Sequence, residues 1–308
     1  MPSQDDIWLK QSPYDRFLYF IAPKADRFKT LSLTIEKLGL NSAAISVSGN
    51  RHILIFPPGT KYLQNSKSAF PFSEQNPLLL TAHYDRVAGS PGANDNSIAV
   101  FHLLRIAALL AQRNIEKWII IFTDKEELKP GENFEVQGSY TLALKLKSFG
   151  LEKARIFNFD ACGTGDTFIF STITDSVLKN SENQNVAKLK NDLQQLRNHA
   201  LKTADNLRLE KVLLAPTPFC DDMGFLRAGF AAQTVTMLPS EEASQYEEVL
   251  RKYPDFARLI ISGEIKKAAE RRFLPATWRN LNTPADTHPR LTPQFFDQVV
   301  GFIAELCK

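Results

Sequence analysis

The chain has 308 residues, 44% of them hydrophobic, with a formal net charge of +3. That is enough apolar content for a sizeable core, and an α/β fold can reach this length as one unit. So small a charge, with no Lys/Arg block, excludes an electrostatic case for nucleic acid, and no apolar run approaches the length of a membrane span.

The start of the chain, MPSQDDIWLKQSPYDRF, has no signal-peptide pattern. Cys162, Cys220 and Cys307 are odd in number and form no spacing motif. The expectation is a cytoplasmic protein with free thiols, and with neither nucleic acid nor membrane among its partners.

In chain order, Tyr14 to Leu40 reads as helical, broken near Pro23. Ala44–Ser48 and His52–Phe56 are apolar runs around Ser48-Gly49-Asn50, a hairpin signal. Lys61 to Asn76 is polar and reads as loop. Leu78–His83 is a buried strand followed by a Gly/Pro-rich turn, and Ser97–Gln112 has strong helical periodicity. Lys117–Thr123 is a second buried strand, Ser139–Phe149 a helix, Ala154–Phe159 a third strand and Thr167–Ser171 a further one. Asn183–Asn206 reads as a polar amphipathic helix, Leu213–Asp222 as loop, Asp222–Ala228 as a short helix and Ala232–Leu238 as a strand. Glu241–Phe273 is helical and charged, interrupted at Pro254, and suits an insertion or cap. Pro275–Pro289 reads as loop and Thr292–Cys307 as the last helix. Strands alternate with helices throughout. This predicts one α/β domain over 1–308, a three-layer α/β/α sandwich around a mixed, largely parallel sheet.

Three buried strands in succession end in acidic or imidazole groups: His83 and Asp85, then Glu126 and Glu127, then Asp160. Asp95 opens the helix between the first two. Sites in open α/β sheets form at the carboxyl ends of strands. Carboxylates gathered there repel one another and need protons, water or a cation. One imidazole with several carboxylates suits zinc. Each residue also has a structural reading. Asn94 or Asp95 suits a helix cap, Glu126-Glu127 a solvated turn, Asp160 turn chemistry and His83 a hydrogen-bonded buried histidine. These readings leave unexplained why all of them fall at strand ends.

The pieces HYDRVAGSPGANDNSIAV, IIIFTDKEE with a later GSY, FNFDACG, FCDDMGFLRAG and NTPADTHPRL, in this order, resemble the co-catalytic zinc aminopeptidases of metallopeptidase family 28. That superfamily also contains the glutaminyl cyclases. The resemblance covers most of the chain from Leu78 onward. It implies a zinc-dependent exopeptidase acting on a peptide or small amide with a free N-terminus. It also implies roles. His83, Asp95 and Asp160 would hold one zinc; Asp95 would bridge to a second, with Glu127; Glu126 would be the general base; Asp85 would orient His83. Asp221 or Asp222 matches an acidic segment of the family, with Met223 where a His often follows.

The family usually has a His before Thr in its C-terminal loop, and here Asn282 stands there. Three outcomes are open: His288 reaches in, the second site is weak, empty or holds another divalent metal, or catalysis is lost. The resemblance implies that glutaminyl cyclases use a single zinc held by the half that is incomplete here. An aminopeptidase is therefore favoured, with a cyclase and a catalytically impaired metal- or peptide-binding relative as alternatives.

Overall fold

The structure, a computed structural model, describes residues 12–60, 76–129, 131–179, 184–218, 220–262 and 269–308. Apart from Asn76, the polar stretch expected as loop over 61–76 lies outside the described residues. An eight-stranded sheet runs in the order β1-β2-β4-β3-β5-β8-β6-β7. The strands are β1 Asn41–Val47, β2 Asn50–Phe56, β3 Leu78–His83, β4 Trp118–Thr123, β5 Arg155–Phe159, β6 Thr167–Ser171, β7 Val212–Ala215 and β8 Ala232–Leu238. The central neighbours β4, β3, β5 and β8 are mutually parallel, as are β6 and β7; β1, β2 and β6 join antiparallel. The sheet is mixed and mostly parallel, as the alternation of elements predicts.

Strands β3 and β4 are buried at every position, which is why they read as unbroken apolar runs. Their side chains divide between the two faces by the period of two. Leu78, Leu80, Trp118, Ile120, Phe122, Phe157 and Phe159 enter one core. Leu79, Ile119, Ile121 and Ile156 enter the other.

The first face is covered by α1 (Pro13–Ile21), α2 (Arg27–Lys37), α3 (Ile98–Gln112), α6 (Gln184–Asn206) and α11 (Phe296–Leu306), and the second by α4 (Gly138–Ser148) and α7 (Asp221–Arg227). A short helix α5 spans Ile173–Leu178. The predicted hairpin closes through Ser48 and Gly49, both at positive φ, the two-residue turn that matches strand twist.

Two loop expectations are corrected. The stretch Leu213–Asp222 begins as a strand: β7 pairs parallel with β6 at the sheet edge, and four residues buried only at Ala215 give no periodic signal. Pro275–Pro289 contains a short helix α10, Ala276–Asn280, whose Trp278 is buried. Within the expected helical stretch over 241–273 the described residues form α8 (Ser240–Lys252), α9 (Phe256–Ser262) and a 3-10 turn Ala269–Phe273, and residues 263–268 lie outside the described residues. Tyr246, Phe256 and Trp278 pack there with Ile169, Ala215 and Leu238 in a third core. Among the described residues no helix is long and apolar enough to cross a membrane.

Candidate metal centre

The site lies where β4, β3 and β5 end side by side. Thr81 pairs with Asn158, and the Thr81 hydroxyl donates to the Asn158 side-chain oxygen at 2.9 Å. Two residues further, the same register brings His83 level with Asp160. On the other side His83 pairs with Thr123, so the loop after β4 emerges beside it.

Asp95 reaches the same point from a turn. Residues Ala93–Ser97 form one π-type turn before α3, and Asp95 and Asn96 have non-helical backbone angles. Asp95 is therefore not a cap, and Ser97, the residue preceding α3, makes no side-chain capping bond. Asn94 and Asn96 serve the turn instead. The Asn94 side-chain oxygen accepts from Gly163 N at 2.8 Å. The Asn96 amide donates to Phe159 O at 2.8 Å, and its oxygen accepts from Ala161 N at 3.2 Å. The two amides clip the turn to the loop that carries Asp160.

The His83 ring is buried, with Nε2 3.0 Å from Asp95 Oδ1 and 3.7 Å from Asp160 Oδ1. Nδ1 lies 3.4 Å from Asp85 Oδ1. Asp85 also accepts from the backbone N–H of Glu126 and of Glu127, each at 3.1 Å. One carboxylate thus faces the imidazole and fixes the glutamate turn. The pair Glu126-Glu127 is half-buried and held, not a freely solvated turn. His83, Asp95 and Asp160 converge closely enough to share a metal ion, and so do His83, Glu126 and Glu127.

Charge makes the convergence costly without a cation. Burial, and next the neighbouring Glu127, push Glu126 well above the usual carboxylate range. Burial, with Asp95 next, pushes Glu127 up to about 9. Burial also raises Asp95, and it raises Asp221 to about 6. Burial would lower His83, but Asp160, Asp85 and Asp95 outweigh it and hold the imidazole well above its ordinary value. His83 Nδ1 and Nε2 and Glu127 Oε1 are buried without a hydrogen-bond partner. Nε2 between two carboxylates, with a buried glutamate oxygen unpartnered beside it, fits a divalent cation, and the imidazole–carboxylate set fits zinc.

Several further residues complete the site, and the sequence pattern gives none of them these contacts. The Asp286 carboxylate accepts from the backbone N–H of Asn94 at 2.8 Å and of Asp95 at 3.0 Å. Arg27 is buried beneath the turn and donates to the carbonyls of Tyr84, Asp85, Pro91 and Gly92 and to the Ser97 hydroxyl. Asp221, at the start of α7, accepts from the Thr123 hydroxyl at the end of β4. Asp286 and Asp221 stand inside the quoted segments NTPADTHPRL and FCDDMGFLRAG, and Asp221 is one of the two residues matched to the family's acidic segment; Arg27 stands in no motif.

The two candidates for a further ligand part company. Asn282 lies at the site and donates its amide to Glu127 Oε2 at 3.0 Å. His288 is exposed and sits edge-on to Tyr14, with ring centroids 6.5 Å apart; the structure does not bring it into the set. His52, His102 and His199 lie in β2, α3 and α6.

A model of Peptidase family M28 matches residues 65–305 of the chain. No curated protein matches it. Among solved structures, a zinc aminopeptidase from Bacillus subtilis aligns over 83% of this chain and 48% of its own, with a TM-score of 0.50 and 18% identity. The chain thus spans about half the length of that relative. A leucine aminopeptidase precursor from Bacteroides thetaiotaomicron aligns over 96% of both chains, with a TM-score of 0.61 and 16% identity. A glutaminyl cyclase from Porphyromonas gingivalis aligns over 96% of this chain and 97% of its own, with a TM-score of 0.59 and 16% identity. At these identities the structures share the fold alone.

Proposed function

The chain belongs to peptidase family M28, and from that premise we propose that it is a metal-dependent aminopeptidase, hydrolysing N-terminal residues from peptides or small amides. The observation that carries this reading is the division of labour around His83. Its Nε2 faces Asp95 and Asp160, while Glu126 stands beside that set on a turn fixed by Asp85.

His83, Asp95 and Asp160 would hold the ion. Zinc bound there supplies Lewis acidity toward a carbonyl oxygen and eases deprotonation of water. Glu126 is the general base: its carboxylate takes the proton of the attacking water and passes it to the leaving amine. Asp85 keeps the imidazole oriented and, through the N–H groups of Glu126 and Glu127, sets the base at the height of the ligands. Burial suits Glu126 to this role, since a carboxylate kept from water is a stronger base.

Glu126→Gln tests the assignment. The variant is expected to keep wild-type zinc content and to lose about 10²–10⁴-fold in hydrolysis of aminoacyl amides. An unchanged rate rejects Glu126 as the base. Ammonia release from an N-terminal glutaminyl peptide, without peptide-bond hydrolysis, would instead mark a cyclase. Absence of turnover across a broad aminoacyl panel with zinc supplied would mark a binding protein.

A further inference from the structure

We infer that this chain binds one tightly held zinc ion, and that Asn282 leaves the place beside Glu127, where a second would sit, without the nitrogen ligand it needs. This rests on the metal-site reading above. The two converging donor sets share a single imidazole. Its Nε2 is turned to Asp95 and Asp160 and its Nδ1 to Asp85, so no nitrogen is left for an ion at Glu127.

No other imidazole can serve. The chain has five histidines. His52 is buried and accepts from Asp124 N, His102 packs on Phe296, His199 sits edge-on to Phe157, and His288 is exposed beside Tyr14. The thiols are also engaged elsewhere. Cys162 donates to Val235 O, Cys220 lies among Asn158, Asp222 and Thr234, and Cys307 ends α11. A second ion would have oxygen donors alone, which suit harder cations than zinc.

Asn282 offers the place no nitrogen ligand. Its amide nitrogen carries hydrogens and no free lone pair, and it points them at Glu127 Oε2. Asn282 holds a left-handed backbone at φ 61°, a conformation that asparagine and histidine both tolerate. Histidine can therefore replace it without local strain.

The experiment is zinc per chain, by elemental analysis, after loading with zinc alone and dialysis against a weak chelator. Wild type is expected to hold one, Asn282→His two, and Asn282→Ala, which removes the amide without adding a ligand, one. Two zinc ions in wild type would overturn the inference and leave the metal-site reading standing. None in wild type would overturn the metal-site reading itself. One in a folded Asn282→His variant, or two in Asn282→Ala, would overturn the role given to Asn282.

Discussion

Asp286 shows how a residue can matter to a site without touching what the site binds. Its two carboxylate oxygens accept from consecutive backbone N–H groups, those of Asn94 and Asp95, and its carbonyl oxygen accepts from Ala93 N. The turn that presents Asp95 is thereby held from outside. Buried N–H groups that lose such a partner cost about 1–3 kcal/mol each. Asp286→Ala is expected to weaken zinc binding by about 10–100-fold, read by competition with a chromophoric chelator. Wild-type zinc affinity in a folded variant would contradict this. Arg27 supports the same turn through five acceptors drawn from Tyr84 to Ser97. Lysine cannot reproduce its planar fork.

Among the elements, the loop after β4 depends on the start of α4. Gly138 N donates to Lys125 O at 2.9 Å, and a Cβ at Gly138 would lie 1.6 Å from Asp124 O. The clash is with backbone, so no rotamer relieves it. The Gly of the GSY segment is thus a requirement of the contact that seats Glu126 and Glu127. Gly138→Ala is expected to destabilise the fold by about 1–3 kcal/mol or more, seen as a lowered denaturation midpoint. The catalytic rate should fall as well, because the glutamate turn must shift. A variant with wild-type midpoint and rate would show that the loop can give way. A similar approach occurs at Gly224 on α7, where a Cβ would meet Ser139 Oγ at 2.1 Å and Tyr140 N at 2.7 Å, so α4 and α7 pack backbone to backbone.

For the molecule as a whole, buried histidines away from the site set an acid limit. Burial lowers His102 to about 3, and the ring packs against Phe296 at 4.4 Å. The unfolded chain, with a histidine pKa near 6.5, binds this proton first as pH falls. The contribution of neutral His102 is therefore complete above about 6.5 and is lost progressively as pH falls toward 3. Burial lowers His52 to about 4 with the same sign. The raised carboxylates of the site act with the opposite sign, so the His102 contribution is read between two proteins: denaturant unfolding at pH 7.5 and pH 5 is expected to show the change on acidification shifted toward greater stability in His102→Leu than in wild type. An equal difference would remove His102 from the account.

The amino-acid sequence by itself determined the central strands, the helices between them and the convergence of His83, Glu126, Glu127 and Asp160. Buried parallel strands are written as continuous apolar runs, and polar residues that interrupt such runs at strand ends have few places to go but one edge of a sheet. Short β7, buried only at Ala215, and the small helix α10 carried no such pattern, and they form because the neighbours β6 and the third core receive them. The tertiary structure alone decided three further matters. It turned Asp95 from a cap into a member of the cluster by giving its turn partners in Asn94, Asn96, Asp286 and Arg27. It set Asn282 against Glu127 and left His288 at the surface. Last, it spent the Asp85 carboxylate on an imidazole and two backbone N–H groups at once. Most of these contacts join residues tens to hundreds of positions apart. Periodicity reports only what a residue does toward its own helix or strand, so long-range hydrogen bonds leave no trace in it.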